Sequence, residues 1–386
     1  MRTILALAFL VSFVASLFLT VIARRLALRL GFVDRPGGRK QHLAPMPKGG
    51  GFAIVLASCF LVLGSAALAY LWEREPSVLP VPPELQEDVA RAARTLPLLL
   101  YILGGGLAVA FFGLWDDLRP LRPVQKLAAQ LVIATVIVIT SGMRISAFIP
   151  VDWIQVSITV AWIVSLTNSF NLLDNMDGLS GTVAFVCGAA LLILTLQTAQ
   201  FFIAGFVLAL MGAVLGFLFF NFPPATIFMG DMGSMFIGYM LATATVLTTF
   251  VNGARMNPLF PLMVPLIIFA VPLYDTLSVL AIRLRHKRPV MVGDRNHFSH
   301  RLHRLGMSPR RVLLTVGLIT LATSLGATIP YGSSAWRVCV PAVQAVAVVC
   351  VIVLLELVSV EIHYDEPTDT TDQAGQKDRD TPPGRP

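Results

Sequence analysis

Eleven stretches of the chain are apolar for about 20 residues each, the length a helix needs to cross a bilayer. They lie near 3–23, 50–72, 97–115, 124–142, 148–167, 179–199, 201–220, 232–251, 258–282, 311–330 and 337–360. The pattern predicts an all-α polytopic membrane protein with about 11 transmembrane helices. The first stretch follows Arg2 and runs directly into Arg24 and Arg25. It is too long for a signal-peptide core and has no small-x-small cleavage site, so it is read as a retained span. Between the second and third stretches, the Pro-rich start and the Glu84–Arg94 segment predict a short interfacial helix. The spans and their loops, residues 1–360, form one transmembrane domain. Residues 361–386 are polar and acidic and are expected to be a disordered tail.

Composition agrees with this reading. The 386 residues are 56% hydrophobic and only 13% charged, far below the ~25% charged of a soluble domain. The net charge of +7 would suit a nucleic-acid binder if it formed one surface. It does not, and no nucleic-acid partner is expected. With the amino terminus outside, 22 of the 29 Lys and Arg fall in the segments 24–48, 119–126, 283–311 and 361–386. That threefold bias makes those segments cytoplasmic and leaves the carboxyl terminus inside. The four cysteines, Cys59, Cys187, Cys339 and Cys350, sit in apolar runs without C-x-x-C spacing, as packing residues do.

The same topology gathers the chemistry on one face. The third span ends in Asp116-Asp117. The fifth runs into Asn168-Ser-Phe-Asn171-Leu-Leu-Asp174-Asn-Met-Asp177-Gly178. The seventh runs into Asn221-Phe-Pro-Pro-Ala-Thr-Ile-Phe228-Met-Gly230-Asp231-Met-Gly233-Ser234, and the ninth carries Asp275 near its inner end. Carboxylates beside apolar runs are costly unless paired or metal-bound. The loops 168–178 and 221–231 contain no Lys or Arg, so a hard divalent cation is the economical partner. One such Asp alone reads equally as a helix cap. Several meeting at one face do not. The loop 283–311 supplies the opposite sign. His297, His300 and His303 repeat at a spacing of three, flanked by Arg295, Arg301 and Arg304. Diphosphate donors and metal ligands are both open to these histidines. Donors suit the hard-oxygen character of the other loops better.

Together these blocks resemble the polyprenyl-phosphate N-acetylhexosamine-1-phosphate transferases of glycosyltransferase family 4. The resemblance spans about residues 1–360. It rests on Gly31–Gly50, Asp116–Gln130, Asn168–Gly178, Asn221–Ser234 and Asp294–Leu302. Within the first block, Asp34-Arg-Pro36 and Arg39-Lys40-Gln-His42 are similar to the GlcNAc-type branch rather than the phospho-MurNAc-pentapeptide branch. Two positions depart from the pattern: Asn175 stands where Gly often follows the Asp, and Ser299 where His is common.

The resemblance implies a cytoplasmic-face active site in a multi-pass inner-membrane enzyme. It implies transfer of N-acetylhexosamine-1-phosphate, GlcNAc-1-phosphate first, from a UDP-sugar to undecaprenyl or another polyprenyl phosphate, with UMP released and a homodimeric assembly. It implies Mg²⁺, with Mn²⁺ as a substitute, on Asp231 and Asn171. Asp116, Asp117, His297 and His300 take catalytic places. Lys48, Lys126, Asn171, Asp174, Asp177, Asn221, Phe228 and Arg301 take substrate-binding places. Phe228 matches the position that stacks on uracil. The rival expectations are a phospho-MurNAc-pentapeptide transferase and, from a different class, a transporter or flippase, which would place polar groups at mid-membrane.

Overall fold

The computed structural model describes residues 1–34, 45–77, 80–145, 150–251, 260–289, 296–328 and 335–359. The predicted tail 361–386 lies outside these residues, as do 35–44 of the first block and Asp294 and Arg295. The described residues are almost entirely helical. Seven helices are long and apolar enough to cross a membrane. They are α1 (Arg2–Leu30), α2 (Gly50–Arg74), α4 (Leu96–Leu118), α5 (Pro123–Ser141), α6 (Asp152–Leu173), α7 (Leu179–Gln197) and α8 (Phe201–Asn221). The other four predicted spans fall on α9 (Gly230–Val251), the pair α10 (Phe260–Ile268) and α11 (Ala270–Arg285), α13 (Pro309–Gly326) and α14 (Ala335–Ser359). The chain is a multi-pass membrane protein. The predicted interfacial segment is α3 (Pro83–Arg94), with Pro at its start and Arg91 and Arg94 in its last turn, where cations suit the helix dipole.

The ninth predicted span is two helices, and proline explains the break. Pro272 has no N–H to return to Ile268 four residues earlier. In a membrane interior that carbonyl needs another donor. The Cys187 thiol of α7 supplies it, with Sγ 3.3 Å from the Ile268 oxygen.

Close packing rests on small residues, as expected where lipid removes the hydrophobic drive between helices. Ser12 and Ser16 of α1 donate to the Ala209 and Ala213 carbonyls of α8, both at 2.6 Å. Gly212 and Gly216 of α8 face the same α1 backbone. At the centre stands α9, packed against α2, α4, α6, α7 and α8, with Phe236, Ile237, Tyr239 and Met240 fully buried.

Alternation of direction then decides where the site lies. The ends of α4, α6 and α8 and the starts of α5, α7 and α9 carry the Asp- and Asn-rich blocks. An up-and-down bundle brings all six to one end. The first block joins them through backbone hydrogen bonds. Phe228 N donates to Pro47 O, Gly50 N to Phe228 O and Gly51 N to Met229 O, each at 2.9 Å. A two-residue antiparallel ladder, β1 (Val33–Asp34) with β2 (Met46–Pro47), holds the other side of that block.

Candidate active site

The helices run past their apolar stretches to reach this end. α4 keeps Asp116 and Asp117 in its final turn, and α6 extends to Leu173, carrying Asn168 and Asn171. These amides stay helical because they face protein. Asn168 donates to Val164 O at 2.9 Å and contacts the Gln130 amide of α5. Asn171 donates to Ser234 Oγ of α9 at 3.1 Å.

The centre is a lysine between two carboxylates. Lys126 Nζ lies 2.6 Å from Asp116 Oδ2 and 2.5 Å from Asp231 Oδ2. Asp116 also accepts the Leu121 N–H at 2.7 Å, which fixes the α4–α5 turn. Asp117 points to the other side, where its Oδ1 is 3.8 Å from Lys48 Nζ and its Oδ2 accepts from Met232 N at 3.3 Å. Asp34 shares Lys48 at 3.6 Å.

Two glycines make this approach sterically feasible. Gly230 has φ 76°, and a Cβ there would lie 2.6 Å from Asp117 Oδ2. A Cβ on Gly113 would lie 2.5 Å from the Asp231 carbonyl, so α4 and α9 meet backbone to backbone. Asp231 occupies the first turn of α9, where the helix dipole favours its charge.

Asp174 follows the last residue of α6. Burial, and then the carboxylates of Asp231, Asp117 and Asp177, push its carboxyl well above the ordinary carboxylate range. Four aspartates, residues 34, 116, 117 and 231, thus share two lysines, and Asp174 lies within electrostatic reach of Asp117 and Asp231. Excess oxygen charge of this kind fits a hard divalent cation. Among the described residues no three His, Cys, Asp or Glu side chains already stand at metal-binding distance of one another. Mg²⁺ needs no such cage, since it typically takes one or two carboxylates and completes its shell with water and phosphate.

The remaining predicted residues form two flanking groups. Asn221 is buried and ties two loops together: its Oδ1 accepts from Gly178 N and its Nδ2 donates to Ile227 O, both at 2.9 Å. Asp177 accepts from Ala225 N at 2.9 Å. These bonds shape the 222–229 loop on which half-buried Phe228 sits. On the other flank, Asp275 clamps the start of α12 (Phe298–Arg304). Its carboxylate is 2.8 Å from His297 Nδ1 and accepts from Phe298 N at 2.6 Å. His297 and Arg301 are buried, and Arg301 donates to Ser278 at 2.8 Å. His300 is the more open histidine of the pair.

The sequence puts Asp275 on the same face and Asp34, Gln130 and Ser234 within the motif blocks, but assigns none of the four a role. An acid inside an apolar span was the available signal for Asp275. Asp275→Ala would leave a buried imidazole and a buried N–H unsatisfied. It is expected to lower stability by about 1–3 kcal/mol, read as a reduced unfolding midpoint in detergent.

Comparison with known proteins identifies the family. Residues 99–249 match the family described as Glycosyl transferase family 4. The chain is 30% identical over 340 residues to the probable undecaprenyl-phosphate N-acetylglucosaminyl 1-phosphate transferase of Bacillus subtilis, covering 86% of each. It is 32% identical over 348 residues to the decaprenyl-phosphate N-acetylglucosaminephosphotransferase of Mycobacterium tuberculosis, covering 84% of this chain and 81% of the relative. It is 29% identical over 331 residues to the undecaprenyl-phosphate alpha-N-acetylglucosaminyl 1-phosphate transferase of Yersinia pestis, covering 82% and 81%. The acidic end of the bundle lies on the elements that the family match covers, and the chain belongs to the polyprenyl-phosphate N-acetylhexosamine-1-phosphate transferases of glycosyl transferase family 4.

Proposed function

We propose that this protein transfers GlcNAc-1-phosphate from UDP-GlcNAc to undecaprenyl or a related polyprenyl phosphate. The reaction releases UMP and starts a lipid-linked cell-envelope glycan. It takes place at the cytoplasmic face of the inner membrane, the face that carries most of the Lys and Arg. The observation that carries this reading is Lys126 held between Asp116 and Asp231 at 2.6 and 2.5 Å. It is a cation at the membrane boundary whose carboxylate partners come from two separate helices. An arriving phosphate can exchange with either of them.

The chemistry is phosphoryl transfer. An oxygen of the acceptor phosphate forms a bond to the β-phosphorus of the nucleotide sugar. The bond from that phosphorus to the bridging oxygen breaks, and UMP leaves with it. The anomeric C–O bond is untouched. A phosphate monoester has its second pKa near ~6, so the acceptor is largely dianionic at neutral pH and needs little help from a base. Asp117, held by Lys48 and the Met232 N–H, therefore serves to orient the acceptor against the donor. Lys126 and Lys48 offset the charge of two approaching anions. A divalent ion, Mg²⁺ with Mn²⁺ able to replace it, would be held by the Asp231 carboxylate and the Asn171 amide oxygen. When bound it would neutralise charge on the diphosphate.

On the donor side, Phe228 would stack on uracil, and Asp174 would bind the nucleoside. Asn221 and Asp177 hold the loop that presents Phe228. His300 would contact the diphosphate, with His297 and Arg301 supporting α12. Phe228→Ala is expected to raise the UDP-GlcNAc KM about tenfold with kcat little changed, as loss of one base-stacking contact of ~1–3 kcal/mol would. An unchanged KM would remove the stacking assignment. A panel of UDP-GlcNAc, UDP-GalNAc and UDP-MurNAc-pentapeptide, assayed for UMP release by the purified protein, tests the donor choice. Turnover of the pentapeptide donor alone would overturn it. Uptake of lipid or sugar without UMP release would favour a transporter.

A further inference from the structure

The two positions where the chain departs from the family pattern touch each other. Ser299 Oγ donates to Asn175 Oδ1 at 2.6 Å across 124 residues of sequence. The Asn175 amide donates in turn to Leu172 O at 2.7 Å, at the end of α6. That second bond fixes which way the amide faces, so its oxygen is the end offered to Ser299. Ser299 is buried in the first turn of α12, next to Phe298, whose N–H is held by Asp275. Asn175 directly follows Asp174.

Taking the proposed function as its basis, we infer that Asn175 and Ser299 are a positioning pair. They lock α12, with His300 and Arg301, onto the loop that carries Asp174, and so set the spacing between the nucleoside and diphosphate ends of the donor site. Neither side chain needs to touch substrate. The pair explains why both departures occur in one chain. An imidazole at 299 would need the space that the Asn175 side chain fills, and glycine at 175 would vacate it. A change at one position alone leaves either a clash or a buried unsatisfied group. The two together conserve volume.

A double-mutant cycle on the full-length protein tests this with two readouts. Ser299→Ala and Asn175→Ala should each raise the UDP-GlcNAc KM about tenfold, with kcat within about threefold of the parent, because a misplaced donor site weakens binding before chemistry. The double variant should be no worse than either single one. Ser299→His should be impaired, and adding Asn175→Gly should restore KM to within about threefold. Multiplying effects in the double variant, an unchanged KM, or no recovery in the reciprocal exchange would each overturn the pairing. The unfolding midpoint is read for the same variants and should show the same non-additivity whether or not UMP is formed. If the parent protein releases no UMP, the proposed function fails. The midpoint cycle then still decides whether the two residues are coupled.

Discussion

Asp231→Asn is expected to lower UMP release by about 10²–10³-fold or more, while the chain still inserts and unfolds near the parent midpoint. The substitution keeps the size of the side chain and removes its charge. Asp231 stands at the start of α9, 2.5 Å from Lys126, with its backbone pressed on Gly113 of α4. Asparagine fits that space, so the fold has little reason to move. Two things change. Lys126 is left with Asp116 as its partner, and the proposed metal site loses its carboxylate. Added Mg²⁺ or Mn²⁺ should therefore not restore turnover. Turnover close to the parent rate would remove Asp231 from the proposed metal site.

Lys126→Ala should be comparably severe, for a different reason. It removes the cation shared by Asp116 and Asp231, and the two carboxylates are left facing one another. In the absence of substrate this should also reduce stability, since like charges that close repel and both are partly buried. During turnover it removes a positioned positive charge where two anions meet. We expect kcat/KM to fall about 10²–10³-fold. Lys126→Arg should recover part of that loss. Its charge is retained, but the planar guanidinium cannot occupy a point position between two carboxylates as the ammonium does. Steady-state assays that vary UDP-GlcNAc and polyprenyl phosphate separately check this, with the larger KM change expected for the acceptor. If Lys126→Ala keeps parent kinetics for both substrates, the lysine is structural only.

The bundle was legible because a membrane span has a plain signature. The long apolar runs became helices, and loop charges gave an orientation. The Asp- and Asn-rich blocks were legible because acids beside apolar runs demand a reason. The joints between blocks were hidden. Phe228 bonds to Pro47 through backbone atoms, which leave no trace in residue type. Asn175 meets Ser299 only because α12 folds back under Asp275, and no local spacing encodes that return. The break between α10 and α11 could have been anticipated from Pro272. Its repair by Cys187 could not, because the thiol comes from another helix and reads in sequence as one more packing residue. Close approach hides in the same way. Gly113 looks like any glycine in an apolar helix until α9 is laid against it.

The central claim is that the phosphorus travels with the sugar. UDP-GlcNAc labelled with ³²P at the β-position, mixed with undecaprenyl phosphate, Mg²⁺ and the purified protein, tests it directly. The account predicts that the label moves into the lipid diphosphate while unlabelled UMP appears in equal amount. Label remaining in a released nucleotide diphosphate, with sugar alone on the lipid, would contradict it.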